Sequence, residues 1–309
     1  MVDLALLQTF RVLHDQGTVT AAAHALNLSP SAVSHQLRQL SRQAGAELLE
    51  PDGRRVRLTA AGRALLRHAD RLCAQWEEAR AEVAQQGAAG QRTVRFGGLA
   101  TSIAPLLAPV AEELRGGEAP THVTVEETDT SPSYRDLLAD RLDIALVTPV
   151  PDSPPADDAR FHQEPLLDDV LDLVVPARHR LAAAGPVDLA ETAHEDWIAP
   201  HGDQRRLTHA LCTAAGFTPR TLHQADYWHA VLALIDHGLG VCLVPRLVAL
   251  ASFPRLVRVP VRTDPPPARR IIASARKGSE RQEAIAEGLR LLRERAAALT
   301  INSSPPAAH

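Results

Sequence analysis

The chain has 309 residues, of which 45% are hydrophobic and 23% charged, and its formal net charge is −4. This length is too great for one hydrophobic core, so it predicts two or three domains of a folded protein. The longest apolar run, residues 231–253, is interrupted by charged residues and glycines, which excludes a continuous membrane span there. The acidic balance excludes a uniformly basic nucleic-acid binder, so any contact with nucleic acid must be local.

Two helices are predicted at the start of the chain. Apolar residues recur at helical spacing from Leu4 to Leu13, which predicts a first helix that stops at Gly17. Thr18 or Thr20 is suitable as the N-cap of a second, alanine-rich helix. Alanines at this density allow neighbouring helices to approach closely.

A third helix is predicted within the stretch NLSPSAVSHQLRQL, residues 27–40. Ser29 is a good N-cap, and Pro30 suits the first helical position. At about 100° per residue the helix has an apolar face and a polar face. The residues expected on the apolar, core-facing side are Val33, Leu37, Leu40 and Ala44. Those expected on the outward side are Ser31, Ser34, His35, Arg38 and Arg42.

The polar face carries short hydroxyls, an imidazole and guanidinium groups, without the Glu and Lys typical of a solvated surface. A turn and a small helix precede it, as in a helix-turn-helix, and the stretch PDGRRVRLT at residues 51–59 predicts an arginine-bearing wing. Short polar side chains and arginine can reach base edges, while wing arginines can bind the DNA backbone. An ordinary solvated face is the alternative. The predicted DNA-contacting residues are Ser29, Pro30, Ser31, Ser34, His35, Arg38, Arg54, Arg55 and Arg57.

The stretches LLQTFRVLHDQGTVTAAAHALNLSPSAVSHQLRQL and GAELLEPDGRRVRLTAAG have the order and spacing of a known winged helix-turn-helix. In these residues the chain resembles the LysR-type transcriptional regulators, and the resemblance continues more weakly to about residue 295. Ser41, Leu49 and Pro51 depart from the family pattern, and Pro51 replaces an arginine expected to contact phosphate. Pro30 and Ser31 replace the commoner Gln-Pro pair, which predicts an altered base preference.

A long helix is predicted from Thr59 to about Gln86 because this segment contains no proline and only one glycine, Gly62. Its apolar residues are spaced 4, 3, 4, 3 and 4 positions apart, which is typical of a short coiled coil. They are Leu65, Ala69, Leu72, Trp76, Ala79 and Val83. A helix docked on its own domain is the alternative. The resemblance implies a linker helix that pairs two subunits, and QQGAAGQ at residues 85–91 predicts a flexible linker.

Strand-like and helix-like stretches alternate from Thr93 onwards, which predicts parallel strands covered by helices. The resemblance implies a two-lobed effector domain related in fold to periplasmic solute-binding proteins. The fold class is therefore α/β, with an N-terminal all-α winged helix-turn-helix and a linker helix. The predicted domains are residues 1–60, the linker helix 59–88 and the effector domain 91–300. Lobe one covers 91–162 and 268–300, lobe two covers 163–267, and 301–309 form a disordered tail.

Ligands of such sheets bind beyond the carboxyl ends of the strands, so the residues there are candidates for effector binding. Thr101 and Ser102 lie at a helix start, where free backbone N–H groups suit a carboxylate. Asp129 and Asp226 add carboxylates, which could bind an amine or hydroxyl groups of a ligand. Ordinary caps and loop positions are the alternative. The candidates are Ala100, Thr101, Ser102, Thr128, Asp129, Thr130, Ser131, Thr148, Pro200, His201, Gln204, Asp226 and Tyr227.

The sequence predicts no enzyme, because nucleophile-elbow, zinc-protease and Walker motifs are all missing from it. We expect no cofactor and no metal, since His194, His201 and His209 lack the spacing of a helical zinc site. Cys73, Cys212 and Cys242 are expected to be buried free thiols.

Because the first residues do not resemble a secretory signal, we expect a cytoplasmic protein that binds no membrane. The predicted partners are operator DNA, a small-molecule effector and further copies of the chain in a dimer or tetramer. A periplasmic solute-binding protein is excluded by the helix-turn-helix and the missing export signal. A cytoplasmic ligand-binding protein with a degenerate DNA reader remains the alternative function.

Overall fold

The structure is a computed structural model that describes residues 3–53, 55–86 and 92–303. It forms two compact units, one of residues 1–167 and 271–309, the other of residues 168–270. The helices are α1 Leu4–Gln16, α2 Val19–Ala25, α3 Pro30–Ala44, α4 Ala60–Gln86, α5 Ala100–Ser102, α6 Ala108–Gly116, α7 Thr130–Leu138, α8 Gly202–Ala214, α9 Trp228–Asp236 and α10 Glu283–Ser303. The strands are β1 Leu49–Asp52, β2 Arg55–Leu58, β3 Thr93–Gly98, β4 His122–Glu127, β5 Ile144–Val147, β6 Phe161–Pro176, β7 Asp196–Ala199, β8 Arg220–Gln224, β9 Cys242–Pro245, β10 Leu256–Val259 and β11 Ala268–Arg276.

The predicted end of α1 and the predicted starts of α2 and α3 agree with the structure. Gly17 follows α1 in the left-handed conformation with φ of 71°, which glycine adopts at little cost. Thr18, and not Thr20, caps α2 by accepting the Ala21 N–H. The hydroxyl of Ser29 accepts the Ala32 N–H and Pro30 is the first helical residue, so the predicted start of α3 is confirmed.

The core of this domain is formed by leucines of α1, the alanines of α2 and the inner face of α3. Val33, Leu37 and Leu40 are buried in it, as predicted. Ala44 is exposed, so its assignment to the core face was wrong. Ala44 is the last residue of the helix before the C-cap Gly45, and residues 42–47 are all exposed.

The wing is a two-stranded antiparallel hairpin of β1 and β2. Thr59 joins it to α4, because its hydroxyl donates to the Glu47 carbonyl and accepts the Gly62 N–H. Gly62 lies so close to the wing that a Cβ there would be 2.2 Å from the carbonyl oxygen of Leu48. The start of α4 and the wing are therefore packed as one body.

Lobe one, in the first unit, contains a mixed sheet. β3 pairs in parallel with β4 and β5, while β11 pairs antiparallel with β5. The helix after β3 contains one π-helical turn, Ile103–Leu107, between α5 and α6. Pro105 lies in this turn, and proline lacks the N–H that a regular α-helical turn would use.

The second unit also has strands of both directions. β6 pairs antiparallel with β9 and β10, while β7 and β8 form a separate parallel pair. The sequence-based expectation of parallel strands is thus correct for β3, β4 and β5. It is wrong for β6, β9 and β11, which pair antiparallel. Alternation of helix and strand does not reveal strands such as β6 and β11, which continue from one unit into the other.

The helix-turn-helix contacts lobe one within the first unit. Arg160 of lobe one forms an ion pair with Asp15 of α1, with Nη1 and Oδ1 2.8 Å apart. Burial is the main reason that the pKa of Asp15 is raised despite this positive neighbour. Further along, Gln282 donates to the carboxylate of Glu77 on α4 at 2.8 Å. Both helices α1 and α4 are therefore attached to the effector lobe.

Candidate DNA-binding and effector-binding sites

The outward face of α3 is available to a second molecule. Ser31, His35 and Arg38 are exposed, and Ser34 is half-buried. The hydroxyls of Ser29 and Ser31 lie 2.9 Å apart at the start of the helix. In the described part of the chain, no hydrogen bond or ion pair occupies the Arg38 guanidinium. The arrangement places a free positive charge one helical turn beyond the hydroxyl groups.

Hydrogen bonds among α1, α3 and α4 help to hold α3 in its orientation. Gln36 accepts a hydrogen bond of 2.6 Å from the hydroxyl of Thr9 on α1. Arg11 of α1 in turn donates to Asp70 of α4 at 2.7 Å. These bonds hold the three helices in one arrangement, which keeps the polar face of α3 turned outwards.

The wing provides one described arginine side chain, and it is already paired. Arg57 on β2 and Glu50 on β1 face each other in the hairpin register, with Nη2 and Oε1 2.8 Å apart. Sequence reasoning missed this pair. A hairpin with its turn near Gly53 would place Glu50 opposite Arg57, so the pair could have been found from the sequence. Both side chains are exposed, so phosphate could replace Glu50 at little cost. Arg54 lies outside the described residues, as does the side chain of Arg55.

The predicted apolar stripe of α4 has two different halves. Leu65 packs against the helix-turn-helix core and Ala69 is fully buried there. Leu72, Trp76 and Val83 are 45%, 51% and 72% exposed. The alternative of a helix docked on its own domain therefore holds for the first half, and an unpartnered apolar surface remains on the second.

The lobe-one effector candidates lie after strands β3, β4 and β5, and most of them are already hydrogen-bonded. Ser102 is fully buried and its hydroxyl donates to the Leu99 carbonyl at 2.7 Å. The Thr130 hydroxyl donates to the Thr148 carbonyl at 3.0 Å, and this bond ties two strand ends together. Thr101 is 8% exposed. The Oγ1 of Thr148 is buried without a partner among the described residues.

The other lobe-one candidates surround these bonds. Ala100 is exposed at the start of α5, and Thr128 is half-buried after β4. Asp129 and Ser131 are exposed, and the Asp129 carbonyl accepts the Ser133 hydroxyl at 2.8 Å. Free donors for a carboxylate are thus fewer here than the sequence predicts, because Ser102 and Thr130 use their hydroxyl protons within the protein.

The second-unit candidates follow β7 and β8. His201 and Asp226 are brought together, with Nδ1 and Oδ1 3.2 Å apart, and both side chains are exposed. Pro200 is buried, and Tyr227 is 75% exposed just before α9. Gln204 is 8% exposed, and neither its amide oxygen nor its amide nitrogen has a hydrogen-bond partner in the described chain.

The cysteines and the other possible metal ligands form no reactive or metal-binding cluster among the described residues. All three cysteines are free; Cys212 and Cys242 are buried, whereas Cys73 is half-buried. Burial raises the pKa of Cys212 to about 12, so its thiol is uncharged at neutral pH. In residues 3–53, 55–86 and 92–303, no three His, Cys, Asp or Glu side chains are grouped to hold a metal ion. No helix of these residues combines the length and hydrophobicity needed to cross a bilayer.

Comparison with known families matches both parts of the chain. Residues 4–63 match the model "Bacterial regulatory helix-turn-helix protein, lysR family", and residues 87–297 match the model "LysR substrate binding domain".

Relatives and solved structures agree with these matches. The small neutral protease regulatory protein of Streptomyces coelicolor is 31% identical over 270 residues, which cover 84% of this chain and 82% of the relative. The transcriptional regulator AlsR of Bacillus subtilis is 27% identical over 79% of this chain and 80% of its own length. Full-length BenM shares the fold with a TM-score of 0.59 and 21% identity, covering 99% of this chain and 100% of that one. A full-length OxyR variant of Pseudomonas aeruginosa has a TM-score of 0.64 and 20% identity, with 95% of each chain covered.

The capped helix α3 with its free polar face, the wing and the mixed-sheet effector domain thus occur together in one chain. The two family models account for residues 4–63 and 87–297. The chain belongs to the LysR family and is a LysR-type transcriptional regulator.

Proposed function

We propose that α3 reads operator DNA in the major groove, with Ser31, Ser34, His35 and Arg38 towards the base edges and Ser29 and Pro30 at its entry. The exposed Arg38 guanidinium, which has no protein partner in the described chain, is the main support. Arginine is the commonest side chain to contact guanine in this way. Arg57 would contact the backbone in place of Glu50, and we propose the same role for Arg54 and Arg55.

The Arg38→Ala variant is expected to weaken operator binding by about 1–3 kcal/mol per half-site, because one guanidinium contact is lost. The measurement is a mobility-shift titration with the DNA upstream of the chain's own gene. Arg71→Ala is the control, since Arg71 is an exposed arginine on α4 and is not among the proposed DNA-contacting residues. Affinity should also fall steeply with salt, as counterion release requires. Wild-type protein that binds no DNA at low salt would favour the ligand-binding protein with a degenerate reader.

We propose that the chain forms a homodimer through the second half of α4, so that two α3 helices reach two half-sites. The exposed Leu72, Trp76 and Val83 support this proposal, because large apolar side chains in one stripe are typical of helix pairing. The domain boundaries predicted at residues 60 and 90 and a further assembly into tetramers are part of the same proposal.

Leu72→Glu is expected to shift the protein from dimer to monomer, because it places a charge within the apolar stripe. Sedimentation velocity measures the shift over a range of protein concentrations. Gln75→Glu is the matched control, since Gln75 is exposed on the same turn and lies off the stripe. If both variants sediment as the wild type does, α4 is not the pairing surface.

We propose that a small-molecule effector contacts the strand-end residues of the effector domain. In the first unit these are Ala100, Thr101, Ser102, Thr128, Asp129, Thr130, Ser131 and Thr148; in the second they are Pro200, His201, Gln204, Asp226 and Tyr227. The buried amide of Gln204 supports the proposal, because buried polar groups without a protein partner are costly and a ligand can satisfy them. We infer further that the chain acts in the cytoplasm, without enzymatic activity of its own.

In the absence of ligand, Gln204→Leu is expected to raise the free energy of unfolding by about 1 kcal/mol, because it removes an unsatisfied buried amide. Gln163→Leu is the opposite control. Its amide accepts from Tyr134 at 2.6 Å and donates to the Pro155 carbonyl at 2.7 Å, so its loss should be destabilising. Urea denaturation measures the free energy of unfolding of both variants. The Gln204→Leu variant should also lose the thermal shift that an effector produces in a screen, and destabilisation by Gln204→Leu would contradict the proposed role.

A further inference from the structure

A cavity of about 330 Å³ lies within the second unit, between helix α8 and the strand pair β7 and β8. Its volume falls in the range of about 300–1,000 Å³ that small-molecule sites occupy. Of the effector residues proposed above it includes Pro200 and no other. The cavity is therefore not explained by the proposed effector site.

The walls of the cavity are largely apolar. Trp197, Ile198 and Ala199 of β7 line it and are 1%, 0% and 5% exposed. Ala210 of α8 and Pro219, just before β8, line it as well. Such walls favour an aromatic ring or a short aliphatic chain, because they offer a ligand dispersion contacts and burial from water.

One buried hydroxyl in this cavity has no partner. Thr208 lines the cavity and is 5% exposed, and its Oγ1 forms no hydrogen bond in the described chain. Threonine in a helix commonly donates to the carbonyl four residues earlier, so an unbonded hydroxyl is unusual. A ligand oxygen in the cavity would satisfy this group.

The exposed rim is positively charged. Arg205, Arg206 and His209 of α8 line the cavity, and no aspartate or glutamate does. Arg206 is paired with Asp203. The Arg205 guanidinium, by contrast, has no ion pair or hydrogen bond with any residue that the structure describes. An anion at the rim would gain a charge-assisted hydrogen bond from Arg205.

We propose that this cavity binds a small apolar carboxylate, an aromatic or short-chain monocarboxylic acid, at a ligand site of lobe two. The apolar group lies against Trp197 and Ile198. The carboxylate accepts hydrogen bonds from Arg205 and from the hydroxyl of Thr208. The proposal does not depend on DNA binding, and it shares only Pro200 with the effector residues proposed above.

The test uses the full-length protein labelled with 5-fluorotryptophan and titrated with benzoate. The chain has three tryptophans, so single Trp→Phe variants assign the ¹⁹F resonances. The Trp197 resonance is expected to shift saturably, while that of Trp76 on α4 stays in place. Benzamide, which has the same shape without the charge, is expected to bind about tenfold more weakly. Absence of a saturable Trp197 shift, or equal affinity for benzamide, overturns the proposal.

Substitutions in the cavity sharpen the test. Arg205→Gln is expected to weaken benzoate binding about tenfold, whereas Arg178→Gln, at an exposed arginine of the same unit that does not line the cavity, leaves it unchanged. Ala210→Phe fills the cavity and should abolish binding, while Ala214→Phe on the same helix should not. Thr208→Val should weaken binding and raise the unfolding midpoint of the free protein together, which a purely structural threonine would not do. Wild-type affinity in both Arg205→Gln and Ala210→Phe overturns the proposal.

Discussion

Replacement of Asp143 by alanine is expected to lower the free energy of unfolding by about 3–5 kcal/mol, the range for breaking a buried ion pair. Asp143 precedes β5 and is 6% exposed. Its carboxylate accepts from the backbone N–H and from the Nε of Arg95, both at 2.9 Å, and from Arg276 at 3.0 Å. The variant leaves two guanidinium groups short of their principal acceptor in the middle of lobe one.

Urea denaturation measures the loss, and Asp168→Ala is the matched control. Asp168 also pairs with an arginine, Arg270, but the two side chains are 52% and 56% exposed. Exposed ion pairs contribute little to stability, so the free energy of unfolding of this variant should fall by less than about 1 kcal/mol. Equal effects of the two substitutions would show that burial of the Asp143 cluster does not determine its contribution.

The contribution of Asp143 should also depend on pH. Burial by itself raises the pKa of this carboxyl, but hydrogen bonds and the positive charges of Arg95 and Arg276 outweigh burial and hold its pKa below the usual range. The stabilisation is therefore complete above the unfolded-state pKa of about 3.9 and is lost as the pH falls through the lower, folded-state pKa. The difference between wild type and Asp143→Ala should shrink as the pH is lowered below about 4.

Gly62→Ala is expected to destabilise the helix-turn-helix by about 3 kcal/mol, the upper end of the usual cost of overpacking, and to abolish operator binding. The new methyl carbon would be 2.2 Å from the Leu48 carbonyl oxygen, which itself accepts the Thr59 N–H. This neighbour is backbone, so the clash can be relieved only by moving the wing away from α4. Movement of the wing would also displace the arginines that we propose bind the DNA backbone.

Gly116→Ala is the control for that substitution. Gly116 lies in the last turn of α6, and a Cβ there would meet nothing within 4 Å. Because alanine favours the helix over glycine, this variant should be neutral or slightly more stable. Thermal unfolding and mobility-shift titration compare the two. Normal DNA binding by Gly62→Ala would show that the contact with Leu48 can relax without moving the wing.

The helix starts could be predicted because the signals are local. Ser29 and Pro30 determine the beginning of α3 through their own hydroxyl and ring, whatever the rest of the chain does. The strands β7, β8 and β10 were not predicted, since their short sequences show no clear strand pattern and their pairing partners are distant in sequence. β4 lies at the edge of its sheet, and five of its six residues are exposed, Val125 among them.

In the candidate sites, too, features set by neighbouring residues in the sequence could be predicted, whereas features set by the folded surroundings could not. The polar face of α3 follows from helical periodicity, whereas the exposure of Ala44 depends on which other elements cover the end of the helix. Spacing alone could not separate the two halves of the α4 stripe, because Ala69 and Trp76 obey the same periodicity. The unpartnered Gln204 and Thr208 could not be predicted either, since a missing hydrogen bond is a property of the folded surroundings.

The ion pair between Asp15 and Arg160 stabilises the position of helix α1 of the DNA-binding domain against lobe one. The two groups are partly shielded from water, and Asp158 holds the other side of the same guanidinium at 2.8 Å. Movement of α1 away from lobe one would break the ion pair between Asp15 and Arg160. Such elements respond in discrete steps. A ligand shifts them only by its difference in affinity for the two arrangements, so weakly discriminating ligands leave the domain where it is.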